Sequence, residues 1–453
     1  MQMTGAEMAA ATGGTWHGGC PDVVQWIQTD SRDFQQGSVF LALRGEHFDG
    51  HAFALNVAER ASALVGDSQG ISAWTSLSVP VLEVTDTLQA WGDLAHLWRK
   101  TCSKTQFFGI TGSYGKTTVR TMLVHLLRGL GWRVHSTDAN LNNRIGVPWT
   151  LLHTPQDADV AVVECGISEQ GEMQHLADVL SPDVVVMTGI TAAHAEGLGG
   201  VQGVVQEKAK LLHALPEHGW CALGDGVAEA LRDADEVGVV ACEMPVHVAA
   251  VLQGTQVRFS LGEVHATLKL PLPAAHWAHN MGLVLSVVAS WYAQRGLAED
   301  LPAWVDVLAS WQPVSGRLTP LAGIHGSVIL DDAYNANPVS MQAALVTLRA
   351  MQGRTLAVLG DMKELGEDAE DLHASLDIHG VDQVYVVGAH MQALHRQQPY
   401  TQWFATTEKF LAWLETHRCI LKPQTTLLVK GSRSMRLDQV VECLRDKEKD
   451  YVV

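Results

Sequence analysis

Lys116 and Thr117 close the run Gly109-Ile110-Thr111-Gly112-Ser113-Tyr114-Gly115-Lys116-Thr117-Thr118, whose residue types suit the cradling of a phosphate chain. Glycines at 112 and 115 let backbone N–H groups converge on an anion, and a helix starting at the end of the loop adds the positive end of its dipole. Lys116 can reach β- and γ-phosphates, the Thr117 hydroxyl can ligate Mg²⁺, and Ser113 and Thr118 complete the lining. The guest is ATP or GTP. The spacing departs from the usual G-x-x-x-x-G-K-[ST], because Gly109 lies one residue too far upstream and Gly112 two too near.

Such a loop works only between a strand and a helix, and both are written into the flanks. Gln106 to Ile110 is a short apolar run of buried-strand character. Val119, Met122, Leu123, Leu126, Leu127 and Leu130 then recur on one face of a helix that stops at Gly131. Two further strands point to the same place. Asp159 to Glu164 ends in a carboxylate, and an acid at the carboxyl end of a strand beside a phosphate loop is where Mg²⁺ is commonly held. Asp183 to Thr188 leads to Ala193-His194.

Length and composition bound the rest. At 453 residues the chain exceeds one ordinary core. A hydrophobic share of 47% with 18% charged residues describes a globular protein, and the longest apolar runs are strand-sized, so no membrane span is expected. The first 14 residues lack a secretion signal, and the cytoplasm is the expected compartment. Seven cysteines without C-x-x-C argue against a disulfide framework or structural zinc. A formal charge of −18 with no basic stretch argues against nucleic acid. Anionic substrates must be met by local donors, and the reading is of a monomer.

Three segments differ in texture. Residues 1–84 hold strand-like Ser38 to Leu43 and an Ala-rich helix near Phe53 to Ala63. Residues 85–313 carry the phosphate loop and alternate strand with helix, the pattern of a parallel sheet covered on both faces. Residues 314–453 alternate again, with strands expected at Ser327 to Leu330, Thr355 to Leu359, Gln383 to Val387 and Thr425 to Val429. A helix is expected from Ser340 to Met351. The fold class is α/β.

These motifs, taken in order, resemble the Mur ligases. The resemblance rests on Thr29-Asp30-Ser31-Arg32, Phe48-Asp49-Gly50-His51, the phosphate loop, Asn140-Leu141-Asn142-Asn143, Ile145 to Pro148, Ala193-His194 and Glu207-Lys208-Ala209-Lys210. It continues through Ser315-Gly316-Arg317, Asp331 to Pro338, Gly360-Asp361-Met362 and Lys430-Gly431-Ser432-Arg433. It implies an N-terminal domain for the UDP end of a substrate, a central P-loop ATPase domain with a parallel sheet, and a Rossmann-like C-terminal domain closing over the site. The most similar branch joins D-alanyl-D-alanine to UDP-N-acetylmuramoyl-tripeptide through an acyl phosphate, using ATP and Mg²⁺.

The resemblance also assigns residues. Thr117 and Glu164 match a first Mg²⁺ site and His194 a second. Lys210 matches a lysine that sister ligases carbamylate, while Lys208 reads as ordinary helix surface. Asn280 matches an adenine contact, Asp332 a ribose contact, and Arg317 a hinge-side arginine that reaches the phosphates. Ser31, Arg32, Asp49, Asn140, Asn142, Asn143 and Asn335 fall on substrate-facing segments. Tyr114, Ala139, Arg144, Ser168-Glu169, Trp277 and Ala333 depart from the family pattern, which bears on substrate choice. His276 with His279 reads as a helix-entry pair rather than a zinc site, and Glu367 to Asp371 as an exposed helix start.

Overall fold

A five-stranded, all-parallel sheet carries the phosphate loop, its strands ordered Trp220–Leu223, Val184–Met187, Gln106–Thr111, Val160–Glu164 and Val134–Ser136. The computed structural model describes residues 2–45, 48–74, 77–191, 195–234, 244–417 and 420–448. The strands are apolar throughout because both faces are covered. Phe108, Ile110, Val160, Val162, Val184 and Val186 face one way, onto the helices Lys116–Gly129 and Ala275–Gln294. Phe107, Ala161, Val163, Val185 and Met187 face the other, onto Thr87–Thr101, Glu172–Leu180 and Gly200–His213. In the phosphate-loop helix Lys116–Gly129, burial of Val119, Met122, Leu123, Leu126 and Leu127 stabilises the packing by about 1.5–3 kcal/mol each.

The second of these cores runs on without a break into the N-terminal unit, where Val39, Leu41, Val65 and Leu82 join it. That unit holds a sheet ordered Thr15–His17, Val81–Val84, Ala63–Asp67, Val39–Leu41, Ile27–Gln28, parallel except for the first strand. The Ala-rich helix expected near Phe53 to Ala63 is only a short turn, Gly50–Phe53, and a single helical turn, Ala54–Val57. The chain turns into strand at Ala63, whose neighbours pair with Val39–Leu41. Tertiary pairing overrides the helix propensity of the alanines there.

The C-terminal unit is a six-stranded sheet in the order Thr319–Gly323, Ser327–Asp332, Thr425–Lys430, Arg354–Gly360, Gln383–Val387 and Gln402–Phe404, with only the first strand antiparallel. The helix expected at Ser340 begins two residues earlier, as Pro338–Arg349. Asn337 caps it by accepting from Ser340 N at 2.9 Å, and Pro338 occupies the first turn, where no N–H is needed. One element departs from the expected alternation. An antiparallel sheet of Ala249–Gln253, Gln256–Leu261 and Val264–Lys269 packs beside the helix Ala275–Gln294.

Candidate active site

Parallel register gathers the chemistry on one edge. Ile110 pairs with Glu164 and Thr111 with Met187, so the phosphate loop leaves the sheet beside the acidic strand end, in the crevice where α/β sheets bind ligands. The loop needs its glycines at the positions the chain provides. Gly112 and Gly115 have φ of 143° and 79°, and a Cβ on Gly112 would lie 2.2 Å from the Thr188 hydroxyl. Ser113 N donates to Gly189 O at 2.7 Å, and the Thr188 hydroxyl donates to Tyr114 O. The unusual spacing thus still yields a loop tied to the neighbouring strand end.

Lys116 folds back so that Nζ donates to Gly112 O at 2.6 Å. Burial pushes its pKa down, Glu164 opposes that, and Arg317 adds to it. The Thr117 hydroxyl lies 3.1 and 3.0 Å from the two Glu164 oxygens. Glu164 is buried and also accepts from Asn142 Nδ2 at 2.9 Å and Arg120 Nε at 3.1 Å. A hydroxyl and a carboxylate face to face are hard oxygen donors of the kind Mg²⁺ takes. Among the described residues no group of three or more His, Cys, Asp or Glu gathers as a metal site. His194 lies outside the described residues.

Across from the loop stands the C-terminal unit. A cavity of about 970 Å³ lies between the two and is lined by Ser113, Gly115, Lys116, Thr117, Thr118 and Glu164 on one side. Arg317, Asp332, Tyr334, Asn335 and Lys430 line the other, with Asn142, Asn143, His276 and Asn280 between. Asp332 is held by Lys430 Nζ at 2.8 Å and accepts from Leu318 N at 3.0 Å. Burial raises its pKa, and Lys430 and Arg317 oppose the rise. The Arg317 guanidinium sits 4.4 Å over the Tyr334 ring. Gly112 and Asn140 do not line the cavity: the Gly112 carbonyl holds Lys116 Nζ, and Asn140 forms the adjoining turn, its carbonyl accepting from Asn142 N at 2.8 Å.

Other expected residues stand elsewhere. Ser31, Arg32 and Asp49 belong to the N-terminal unit and do not line this cavity. Arg32 grips Asp30 at 2.6 Å and holds that carboxyl down to about 2. Asp49 accepts from His51 N at 3.0 Å, bonds His51 Nδ1 at 2.6 Å, and pairs with Arg44 at 3.2 Å. It builds its own turn.

The two lysines of the helix Gly200–His213 require a correction. Lys208, expected on the helix surface, is fully buried, and its Nζ has no hydrogen-bond partner. Burial drives its pKa well below the ordinary lysine value, and the Lys116 charge pushes it further down. Lys210 instead reaches back to Glu207 at 2.5 Å, and Glu207 accepts from Gly171 N and Met173 N at 2.8 and 3.1 Å. The sequence carried the signal. Val204, Val205, Leu211 and Leu212 form the apolar stripe, Lys208 falls within it, and Lys210 falls opposite. Tyr334 and Lys430 stand within quoted motifs without an expected role, and Arg120 stands in none, although Arg120 follows Thr117 by three residues and so shares its helix face.

A phosphate-loop sheet facing a second, Rossmann-like unit across a polar cavity is the build of an ATP-dependent ligase. Three stretches match parts of one such family: residues 23–99 its catalytic domain, 110–288 the middle domain and 316–433 the glutamate ligase domain. The chain belongs to the Mur ligase family. Its relatives include the UDP-N-acetylmuramoyl-tripeptide--D-alanyl-D-alanine ligase of Escherichia coli strain K12, 32% identical over 438 residues and covering 93% of each chain. The crystal structure of MurF from Acinetobacter baumannii matches with a TM-score of 0.85 at 27% identity, over 98% of both chains. MurF ligase from Thermotoga maritima, solved in complex with ADP, shares the fold with a TM-score of 0.78 at 23% identity, over 92% of this chain and 96% of that one.

Proposed function

We propose that the protein joins D-alanyl-D-alanine to UDP-N-acetylmuramoyl-tripeptide at the expense of ATP, in the cytoplasmic assembly of peptidoglycan precursors. The carrying observation is the cavity, which places Lys116, Thr117 and Glu164 opposite Arg317 and Asp332. We assign the UDP end to residues 1–84, the nucleotide to 85–313, and closure over the site to 314–453.

A carboxylate is a poor acylating agent because its leaving group is oxide. Transfer of the γ-phosphoryl group to the carboxylate oxygen supplies a better one, so the catalyst's task is positioning and charge. Lys116 exchanges its bond to Gly112 O for the phosphates, and Arg317 approaches from the other unit. Asn280 and Asp332 orient base and ribose. Thr117 and Glu164 would hold Mg²⁺, which neutralises charge on the triphosphate when bound. The free amine of D-alanyl-D-alanine then attacks the acyl phosphate, and the tetrahedral species collapses to amide and phosphate. Closure of the cavity by the C-terminal unit keeps water from the acyl phosphate.

Lys208, rather than Lys210, is the lysine suited to carbamylation. Burial and the nearby Lys116 charge favour its neutral, nucleophilic amine. Attack of that nitrogen on CO₂ forms an N–C bond and releases a proton. The product is an anion that offsets the charge of Lys116.

The decisive experiment uses substrate labelled with ¹⁸O in the tripeptide's terminal carboxylate. The expected result is amide formation dependent on D-alanyl-D-alanine, with one label appearing in the released phosphate. Phosphate release that ignores the dipeptide, with no amide, would leave a plain ATPase. Amide formed only with a different acid or amine would instead point to a sister ligase.

A further inference from the structure

Arg120 is buried on the phosphate-loop helix, one turn beyond Lys116, and its guanidinium serves three partners at once. Nε donates to Glu164 Oε2 at 3.1 Å, one terminal nitrogen donates to Thr137 O, and the other to Ala139 O at 3.1 Å. The last two carbonyls belong to the segment leading into Asn140 to Asn143. That segment then returns to the same carboxylate, because Asn142 Nδ2 donates to Glu164 Oε1 at 2.9 Å and Gly166 N donates to Asn142 O at 2.8 Å. Glu164, Arg120, the 137–142 backbone and Asn142 therefore form a closed ring. Ala139 sits in it with φ of 44°, a left-handed conformation that costs a non-glycine residue free energy and needs surrounding bonds to hold it.

We propose that Arg120 is a positioning residue: one guanidinium fixes both the Glu164 carboxylate and the backbone that presents Asn142 and Asn143 to the cavity. It thereby sets how the acid substrate lies against the phosphate loop. The inference rests on the ligase reading above. Only arginine suits the place, since its planar fork carries donors in divergent directions, whereas a lysine ammonium keeps the charge but cannot span all three acceptors. Removing the fork leaves the buried Thr137 carbonyl and the buried Glu164 carboxylate short of partners, and the left-handed turn at Ala139 loses its brace.

Arg120→Lys is the discriminating variant. With the charge retained beside Glu164, the affinity for a non-hydrolysable ATP analogue with Mg²⁺, measured by calorimetry, is expected within roughly threefold of wild type. The KM for UDP-N-acetylmuramoyl-tripeptide is expected to rise roughly tenfold or more, as the loss of one charged hydrogen bond implies. Its kcat is expected to fall less. In hydrogen exchange, the amides of Leu141, Asn142 and Gly166 should lose protection while the sheet does not. Unchanged KM and unchanged exchange in a folded Arg120→Lys protein would overturn the proposal. Arg120→Gln, read by the same measurements, serves if the lysine variant fails to fold. Free exchange of these three amides in the wild type would overturn the proposal without any variant. Lack of ligase activity in the wild type would instead sink the functional reading, and the exchange and calorimetric results would still decide on Arg120.

Discussion

The turn around His51 and the cavity around Lys116 are both crowded with polar side chains, yet they are bonded in opposite ways. Around His51 every capacity is met from within. Nε2 accepts from Asp67 N at 3.1 Å, which leaves Nδ1–H to donate to Asp49, and Arg44 ties Asp49 to Asp67. In and behind the cavity, capacity is left over in places shielded from water. Lys208 Nζ and His276 Nδ1 are buried with no partner, and Lys116 has only a loop carbonyl. A buried polar atom without a partner costs about 1–3 kcal/mol. The first pattern builds a fold. The second leaves donors ready for something else that arrives.

The strongest way to break this contrast is Lys116→Ala. If the lysine waits for phosphates, turnover should fall by about 10²–10³-fold or more, as for loss of a donor aimed at developing charge. The melting temperature should hardly move, because the side chain's one bond is to a loop carbonyl. Turnover near that of the wild type, in a steady-state assay of phosphate release, would refute the assignment.

Next in size is the lysine pair. Lys208→Met should cost about 10–100-fold in turnover, the range for a residue supporting a metal site. Compared with wild type kept free of CO₂ and bicarbonate, it should also raise the melting temperature, since it then replaces a desolvated, unpartnered amine by an apolar chain of similar length. Lys208→Ala should recover part of its activity with a short carboxylic acid that fills the place of the carbamate. Lys210→Ala, which removes only a partly exposed pair with Glu207, should stay within a few-fold of wild type. Loss and rescue at Lys210 instead of Lys208 would reverse the assignment.

How much of this was legible depends on which forces set it. The phosphate loop, the acidic strand end and four C-terminal strands are local patterns, and each lies within a residue or two of its expected place, whereas the edge strands Thr319–Gly323 and Gln402–Phe404 are too short or too polar to stand out. The cavity's far wall was legible only through resemblance, because Arg317 and Asp332 come to face Lys116 across the cavity through packing between units. Lys208 was misread by weighing the position of a motif above the apolar stripe around it. Arg120 carries no motif at all, and its partners Thr137, Ala139 and Glu164 are distant in sequence. The 249–269 sheet was missed because its exposed face has no continuous apolar run.

A smaller effect should appear in acid. His276 lines the cavity, and burial, helped by Lys430 and His279, depresses its pKa to about 4. The unfolded chain takes up a proton near pH 6.5, whereas the folded protein resists until about pH 4. Stability from this group is therefore fully present above pH 6.5 and is lost as the pH falls toward 4, by at most about 1.4 kcal/mol per pH unit. Denaturant melts of wild type and His276→Gln should diverge in that window and run parallel above it. Parallel curves throughout would mean that the imidazole is not held neutral.

The smallest effect tests the other side of the contrast. Asp49 caps the turn Gly50–Phe53 and orients His51, so Asp49→Ala should cost about 1 kcal/mol, the usual loss for a cap, and lower the melting temperature by a few degrees. Its pair with Arg44 adds little, because both side chains are substantially exposed. Turnover at saturating UDP-N-acetylmuramoyl-tripeptide should be unchanged, and the KM for that substrate should shift only a few-fold. A KM raised tenfold or more with an unmoved melting temperature would show that Asp49 touches the substrate. The His51 turn would then be a binding surface like the cavity.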